Sequence, residues 1–182
     1  VIVRKASEQL ADDIALEAQP ALPWVGRGAL KLDHALNLWP VLVEGRVALD
    51  VGASTGGFTE VLLNRGAAKV FAVDVGFGQM HARVSSDPRV VNLERTDARD
   101  LTPDLIPQPP SLVVCDASFI SLIKVLPVAL DLATPGADLV TLVKPQFEAD
   151  GPGGGKKGVI KDAAAHAAAV ERVRTWLEAL GW

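Results

Sequence analysis

The sequence predicts an α/β fold: a mostly parallel sheet with helices on both faces. Three observations carry this expectation. Five short apolar runs alternate with helix-like segments, which is the pattern of linked βαβ units. The first run leads into a glycine turn, Asp50-Val51-Gly52-Ala53-Ser54-Thr55-Gly56-Gly57-Phe58; glycines there let the backbone turn sharply and let a ligand approach it. Finally, Asp50, Asp74, Asp97, Asp116 and Lys144 fall at or just after the ends of five consecutive predicted strands. Ligands of such sheets bind at the carboxyl ends of the strands, and a random scatter of charge would rarely give this placement.

Residues 1–23, with several acids and alanines and with Pro20 and Pro23, read as a short strand and a linker arriving from something upstream. The chain opens on Val1 with apolar residues and no Met, which predicts a piece of a longer protein. After Trp24, the apolar residues Leu30, Ala35 and Leu38, with Leu32 and Leu36 beside them, fit one face of a helix. Lys31 lies on the other side and, taken alone, reads as a solvated lysine. Residues 47–51 form the first strand, followed by a helix from Phe58. Residues 69–74 form the second strand, ending in Asp74, and Val75 to Gln79 turn the chain toward another helix. Residues 90–93 form the third, with Asp97 just beyond it; by spacing, Asp97 serves equally as a helix N-cap.

Residues 112–116 are apolar until Asp116, as expected of a strand buried on both faces. Residues 122–133 read as helix, with Pro127 near its true start or at a kink. The fifth strand is residues 138–143. Pro145 is expected to keep Lys144 extended and to prevent a helix from starting there. The segment Gly151 to Lys157 reads as a flexible basic loop. It makes a poor phosphate loop, because no strand runs into it and no Ser or Thr follows its lysines. The last helix covers residues 163–180, with Val170, Val173, Leu177 and Leu180 as its stripe and Gly181 as its cap.

Composition excludes several classes. A chain of 182 residues suits one domain with a sizeable core. The net charge of −4 means that any nucleic-acid contact uses local basic patches or an appended domain. The lone Cys115 excludes an internal disulfide and suits a reducing, cytoplasmic location. His34, His81 and His166 are scattered and suggest no metal. No apolar run approaches the roughly 18 residues of a membrane span, so no membrane partner is expected.

The glycine turn reads D-x-G-x-x-x-G-G rather than the dinucleotide fingerprint, and Asp74 follows Asp50 by 24 positions, where an acid is placed to bind ribose hydroxyls. The segments R-G-A-L-K-L, D-V-G-A-S-T-G-G-F, V-D-V-G-F-G-Q, E-R-T-D-A-R, D-A-S-F-I-S-L, L-V-K-P-Q-F-E and G-V-I-K-D occur in that order. Together they resemble the TlyA-type rRNA methyltransferases, a branch of the FtsJ-like group, over residues 24–182. Gly26 and Ala29 are mild departures from the family's W/Y-V-S-R-G-G-L-K-L.

The resemblance implies a Rossmann-like methyltransferase fold dependent on S-adenosylmethionine (SAM). It implies 2′-O-methylation of cytidine in 16S and 23S ribosomal RNA, with ribosomal subunits as partners. The implied cofactor site comprises Asp50, Gly52, Ala53, Ser54, Gly56, Gly57, Phe58, Asp74, Val75, Asp97, Ala98 and Asp116. In it the glycine turn meets the methionine and central parts, Asp74 the ribose and Asp97 the adenine. The family also carries an N-terminal S4 RNA-binding domain, of which residues 1–23 would be the tail. FtsJ-like enzymes use a Lys-Asp-Lys-Glu set, and Lys31, Asp116 and Lys144 match its first three members. The Glu belongs to final strands expected beyond Trp182, so the sheet is expected to lack its last two strands.

The residue types suit the chemistry. Transfer to a ribose hydroxyl requires alignment of oxygen, methyl and sulfur and management of a weakly acidic proton. Lys144 is the candidate to hold or take that proton; the alternative is a structural ion pair with Asp116. Cytosine C5 chemistry needs a thiolate, and Cys115 turns away if its neighbour Asp116 faces the site. The Asp/Asn-Pro-Pro-aromatic motif of base N-methyltransferases is absent; Asp116-Ala117-Ser118-Phe119 stands in its place. Arg27, Lys31, Lys156, Lys157 and Lys161 form two basic segments expected to face RNA phosphates. Two alternatives are a cofactor-binding RNA module without catalysis and, given the haemolysin label of this family, a membrane-active protein.

Overall fold

The computed structural model describes residues 22–148 and 160–182. Its five strands are β1 Val47–Val51, β2 Lys69–Val73, β3 Val90–Leu93, β4 Leu112–Cys115 and β5 Asp138–Thr141. They form one sheet of order β3-β2-β1-β4-β5 in which every pairing is parallel. The chain works outward from β1 to β3, then returns to start again at β4 on the other side of β1. That reversal opens a crevice between the carboxyl ends of β1 and β4.

The strand side chains alternate between two cores. Ala48, Val70, Leu112 and Val114 pack under α1 Gly28–Leu38, α2 Gly57–Asn64 and α3 Ala82–Ser85. Leu49, Val51, Phe71, Val73, Val113 and Cys115 face α4 Leu122–Val125, α5 Pro127–Asp131 and α7 Ala163–Ala179. The central strands are apolar on both faces because both are covered. Cys115 sits within the second core, where burial pushes its thiol up to about 12, so it is a core residue with no thiolate to offer.

Several elements differ from expectation. The buried face of α1 is Ala29, Leu32 and Leu36, while Leu30 and Leu38 are 44% and 61% exposed. α1 lies against α2 along its length, with Ala29 against Gly57 and with Asp33, Leu36 and Asn37 bonded to Arg65 at the end of α2. This docking buries Ala29, Leu32 and Leu36 and leaves Leu30 and Leu38 outside. The helical region after β4 is split into α4 and α5, with Pro127 at the first position of α5, where its missing N–H costs nothing. Pro145 starts a helix rather than preventing one: α6 runs Pro145–Glu148, and Phe147 N donates to Lys144 O at 2.8 Å. The conformational restriction falls on Lys144, the residue before the proline, and leaves the following residues free to turn. On α7 the buried residues are Ala169 and Val173, backed by Trp176 and Leu177, while Val170 and Leu180 are exposed. Gly181, with φ +84°, ends the helix as expected.

Asp50 is the one carboxylate fully enclosed in β1. Thr59 Oγ1 donates to its Oδ2 at 2.7 Å, while Oδ1 has no partner among the described residues. Burial pushes its carboxyl up to about 7, against the Thr59 hydrogen bonds and with help from Asp116 and Asp74. The folded chain therefore keeps a proton that the unfolded chain releases from about pH 4 upward. Stability from this group is largest in acid, falls as pH rises toward 7, and is level above that. Asp50→Asn is expected to flatten this slope and to raise stability at pH 8 by up to about 4 kcal/mol. Denaturant unfolding of both proteins at pH 5 and pH 8 measures it; an identical difference at the two pH values would contradict the assignment.

Candidate active site

Two adjoining clefts lie at the carboxyl edge of the sheet and share Gly52, Ser54, Asp116 and Ser118. The first, about 530 Å³, lies toward α1 and is walled by Arg27, Lys31, Phe58 and Lys144. The second, about 570 Å³, lies toward β2 and β3 and is walled by Asp74, Val75, Gln79, Thr96, Asp97, Ala98 and Phe119. Gly52 forms the floor between β1 and β4. Its φ is +83°, and a Cβ there would lie 3.0 Å from Ala117 N and Cα. Only glycine meets both conditions.

Asp116 joins the two clefts. Lys31 Nζ donates to its Oδ2 at 3.0 Å, and Lys144 Nζ lies 2.6 Å from its Oδ1. The Lys144 contact brings charge to Oδ1 without a well-directed hydrogen bond, so that oxygen retains an unfilled acceptor. Lys144 spends its donors elsewhere: on Asp116 O at 3.0 Å, Ala117 O at 2.9 Å and Ser118 Oγ at 2.7 Å. The two lysines are unlike. Lys31 is 49% exposed and reaches in from α1, whereas Lys144 is 18% exposed and locked to the β4 exit. The structure thus assembles Lys31, Asp116 and Lys144 from three separate elements.

The β4 exit is gripped at its far end as well. Glu148, buried in α6, accepts from Ser121 Oγ at 2.6 Å and Leu122 N at 2.9 Å. Between the two grips, Phe119 is 86% exposed with φ +67°, and its ring lies 5.3 Å from that of Phe147. No sequence signal marks Glu148 as a cap, because it and Ser121, the residue just before α4, are 27 positions apart in the chain.

Asp74 ties two loops together: Ser54 N donates to Oδ2 at 2.8 Å and Gly76 N to Oδ1 at 2.7 Å. A carboxylate offers about four acceptor positions, so roughly two remain for a ligand in the second cleft. Asp97 combines both of its readings. It lines the cleft, and it caps the 3₁₀ turn Ala98–Asp100 by accepting from Arg99 N at 3.0 Å. The Arg99 guanidinium also holds it, which lowers its carboxyl.

Asp50 and Gly56 stand apart from the other implied cofactor residues. Asp50 is enclosed beneath the loop, bonded to Thr59, and Gly56 faces Val84 and Met80; neither lines a cleft. Gly52, Ala53, Ser54, Gly57 and Phe58 line the first cleft, and Val75 and Ala98 line the second. Of the basic set, Arg27 and Lys31 line the first cleft, and Lys161 lines neither. Lys156 and Lys157 lie outside the described residues. Sequence reading missed Gln79, Thr96 and Ser118 as cleft residues.

The residues fit SAM. An acceptor-rich Asp74 suits a ribose diol, and the side-chain-free Gly52 floor lets one ligand run from the second cleft to Asp116. Among the described residues no cluster of three His, Cys, Asp or Glu side chains is arranged to hold a metal, and no helix is long and apolar enough to cross a membrane.

A parallel sheet of this order, with its cleft at the reversal between β1 and β4, is a Rossmann-like α/β fold, shared with solved structures described as S-adenosylmethionine-dependent methyltransferases. The sequence pattern of the FtsJ-like methyltransferases matches residues 24–182, and the chain belongs to that family. It is 54% identical over 159 residues to the 16S/23S rRNA (cytidine-2′-O)-methyltransferase TlyA of Mycobacterium tuberculosis, covering 87% of this chain and 59% of that protein. It is 42% identical over 180 residues to YqxC of Bacillus subtilis, covering 98% and 64%. A crystal structure from Lactococcus lactis superposes with a TM-score of 0.80 at 38% identity, covering 88% of this chain and 77% of that one. The chain thus spans about three fifths of the length of the two curated relatives.

Proposed function

We propose that the chain carries the methyl-transfer site of an enzyme that uses SAM to methylate the 2′-hydroxyl of cytidine in 16S and 23S ribosomal RNA. The observation that carries this reading is the Lys31–Asp116–Lys144 cluster in the first cleft, with Asp116 on the wall it shares with the second. When bound, SAM supplies an electrophilic methyl group on its sulfonium. Asp74 holds the ribose of the adenosyl group, and Gly52 to Phe58 bound the methionine side. Asp116, whose Oδ2 faces the first cleft beside Lys31 and Gly28, accepts the hydrogen bond of the incoming hydroxyl and is the acceptor for its proton. Lys144 positions that hydroxyl indirectly, by holding Asp116 and the β4 exit to which its donors are committed. As an ammonium it has three donors and no acceptor, and four oxygens already surround it, which supports an orienting role over that of a base. Lys31, the freer of the two, completes the pocket from the RNA side.

Arg27, Lys31, Lys156, Lys157 and Lys161 are the proposed RNA-facing cations. Each phosphate contact lowers the salt slope by about one when its charge is removed. The five-fold neutral variant is therefore expected to bind ribosomal subunits with a shallower log-affinity against log-salt plot. An unchanged slope would make these residues ordinary surface.

The function is tested by titrating SAM into the protein and then assaying methyl transfer to ribosomal subunits, with the product nucleoside identified. A methyl group on a base instead of a ribose oxygen would refute the reaction. SAM binding with no transfer would support the cofactor-binding RNA module.

A further inference from the structure

Gln79 is a cleft residue that neither the glycine turn nor the acid pattern marks. It sits in the loop between β2 and α3, and that loop is fixed from below. The Glu94 carboxylate, just after β3, accepts from Gly78 N at 2.8 Å and Gln79 N at 3.3 Å, with Met80 N at 3.5 Å. Three successive amides aimed at one carboxylate lower it and set the direction of the loop.

The side chain of Gln79 folds back over Gly76. A Cβ at position 76 would lie 2.4 Å from Gln79 Nε2 and 3.0 Å from Asp74 Oδ1. Glycine at 76 therefore lets the amide and the carboxylate stand side by side. Ser54 orients both: its N–H donates to Asp74 Oδ2 at 2.8 Å and its hydroxyl to Gln79 Oε1 at 3.3 Å. Among the described residues Nε2 makes no hydrogen bond. The reverse orientation of the amide would set its oxygen against the Asp74 carboxylate, acceptor against acceptor, so the donor Nε2 is the atom that stands there.

We infer that Gln79 is a specificity-determining residue for the ribose of the adenosyl group, with Glu94 as its positioning residue. The inference rests on reading the second cleft as the adenosyl site. Its chemistry is complementarity. An ionised carboxylate only accepts hydrogen bonds, so Asp74 serves the protons of a vicinal diol and leaves the diol oxygens without a donor. The amide of Gln79 supplies that donor. Together they fit an intact diol better than a ribose lacking either hydroxyl.

The test is calorimetry on the full chain with S-adenosylhomocysteine and its 2′-deoxy and 3′-deoxy analogues. Q79A is expected to weaken the parent ligand by about 3- to 10-fold, the range of one neutral hydrogen bond. One deoxy analogue should lose less in Q79A than in wild type, giving a non-additive cycle. E94Q should speed hydrogen exchange at Gly78, Gln79 and Met80, weaken the parent ligand, and add nothing further in the E94Q/Q79A double variant. Unchanged affinity in Q79A, or deoxy penalties equal in wild type and variant, would overturn the inference. Faster exchange in E94Q at full affinity would reduce Glu94 to a purely structural residue. Failure of the wild type to bind S-adenosylhomocysteine would instead bring down the adenosyl reading, and the inference with it.

Discussion

Lys144→Ala is expected to lower methyl transfer by ~10²-fold or more while leaving SAM affinity close to that of the wild type. The residue contacts both side-chain and backbone oxygens of residues 116–118 but lies outside the second cleft, where the adenosyl group is proposed to sit. Removing it takes away the group that holds Asp116 in position for the hydroxyl and also frees the β4 exit. Lys144→Arg keeps the charge but replaces a compact ammonium with a planar fork, which does not match four oxygens converging on one point, so it should fail as well. Turnover and SAM affinity measured on the same samples separate the possibilities. Near-normal turnover in Lys144→Ala would remove the lysine from the mechanism. Equal losses of turnover and affinity would make it a structural residue of the cleft.

Asp74→Ala should weaken SAM by roughly 10- to 100-fold, the scale of a hydrogen bond to a charged group, with little change in maximal turnover at saturating cofactor. The loss has two sources. The ribose loses its acceptor, and the amides of Ser54 and Gly76 lose theirs, so the two loops facing the cleft come apart. Asp74→Asn keeps one acceptor oxygen and should fall between the two. Unchanged calorimetric affinity in Asp74→Ala, or tighter binding of NAD than of SAM by the wild type, would contradict the cofactor assignment.

Much of this architecture is readable from residues alone, for a physical reason. The strands are buried on both faces, so they appear as uninterrupted apolar runs, and their ends are marked by the first charge that can reach water. That is why Asp74, Asp116 and Lys144 could be placed at the cleft before any coordinates. The same rule misled at Asp50. Its charge type suggests a strand end, but its position within β1 and its partner Thr59 on α2 put it inside. Periodicity found α1 and included the buried Leu32 and Leu36, but it centred the stripe on Leu30 and Leu38, which are exposed, because nothing local says which face α2 will cover. Glu148 and Glu94 were illegible for a common reason: each acts on a segment that only the parallel crossovers bring near it.

The grip of α6 on the β4 exit has a mechanical consequence. Lys144, immediately before α6, and Glu148, at its end, hold the two ends of residues 116–122, so this stretch behaves as a span resting on two piers that share one foundation. It cannot open like an ordinary surface loop while α6 stays in place, and a shift of α6 carries both piers at once. Asp116 would then leave its alignment with Lys31 in the same movement that lifts Ser121 off Glu148. Disturbance at the tip of β5 is therefore felt at Asp116 as a displacement of the whole span.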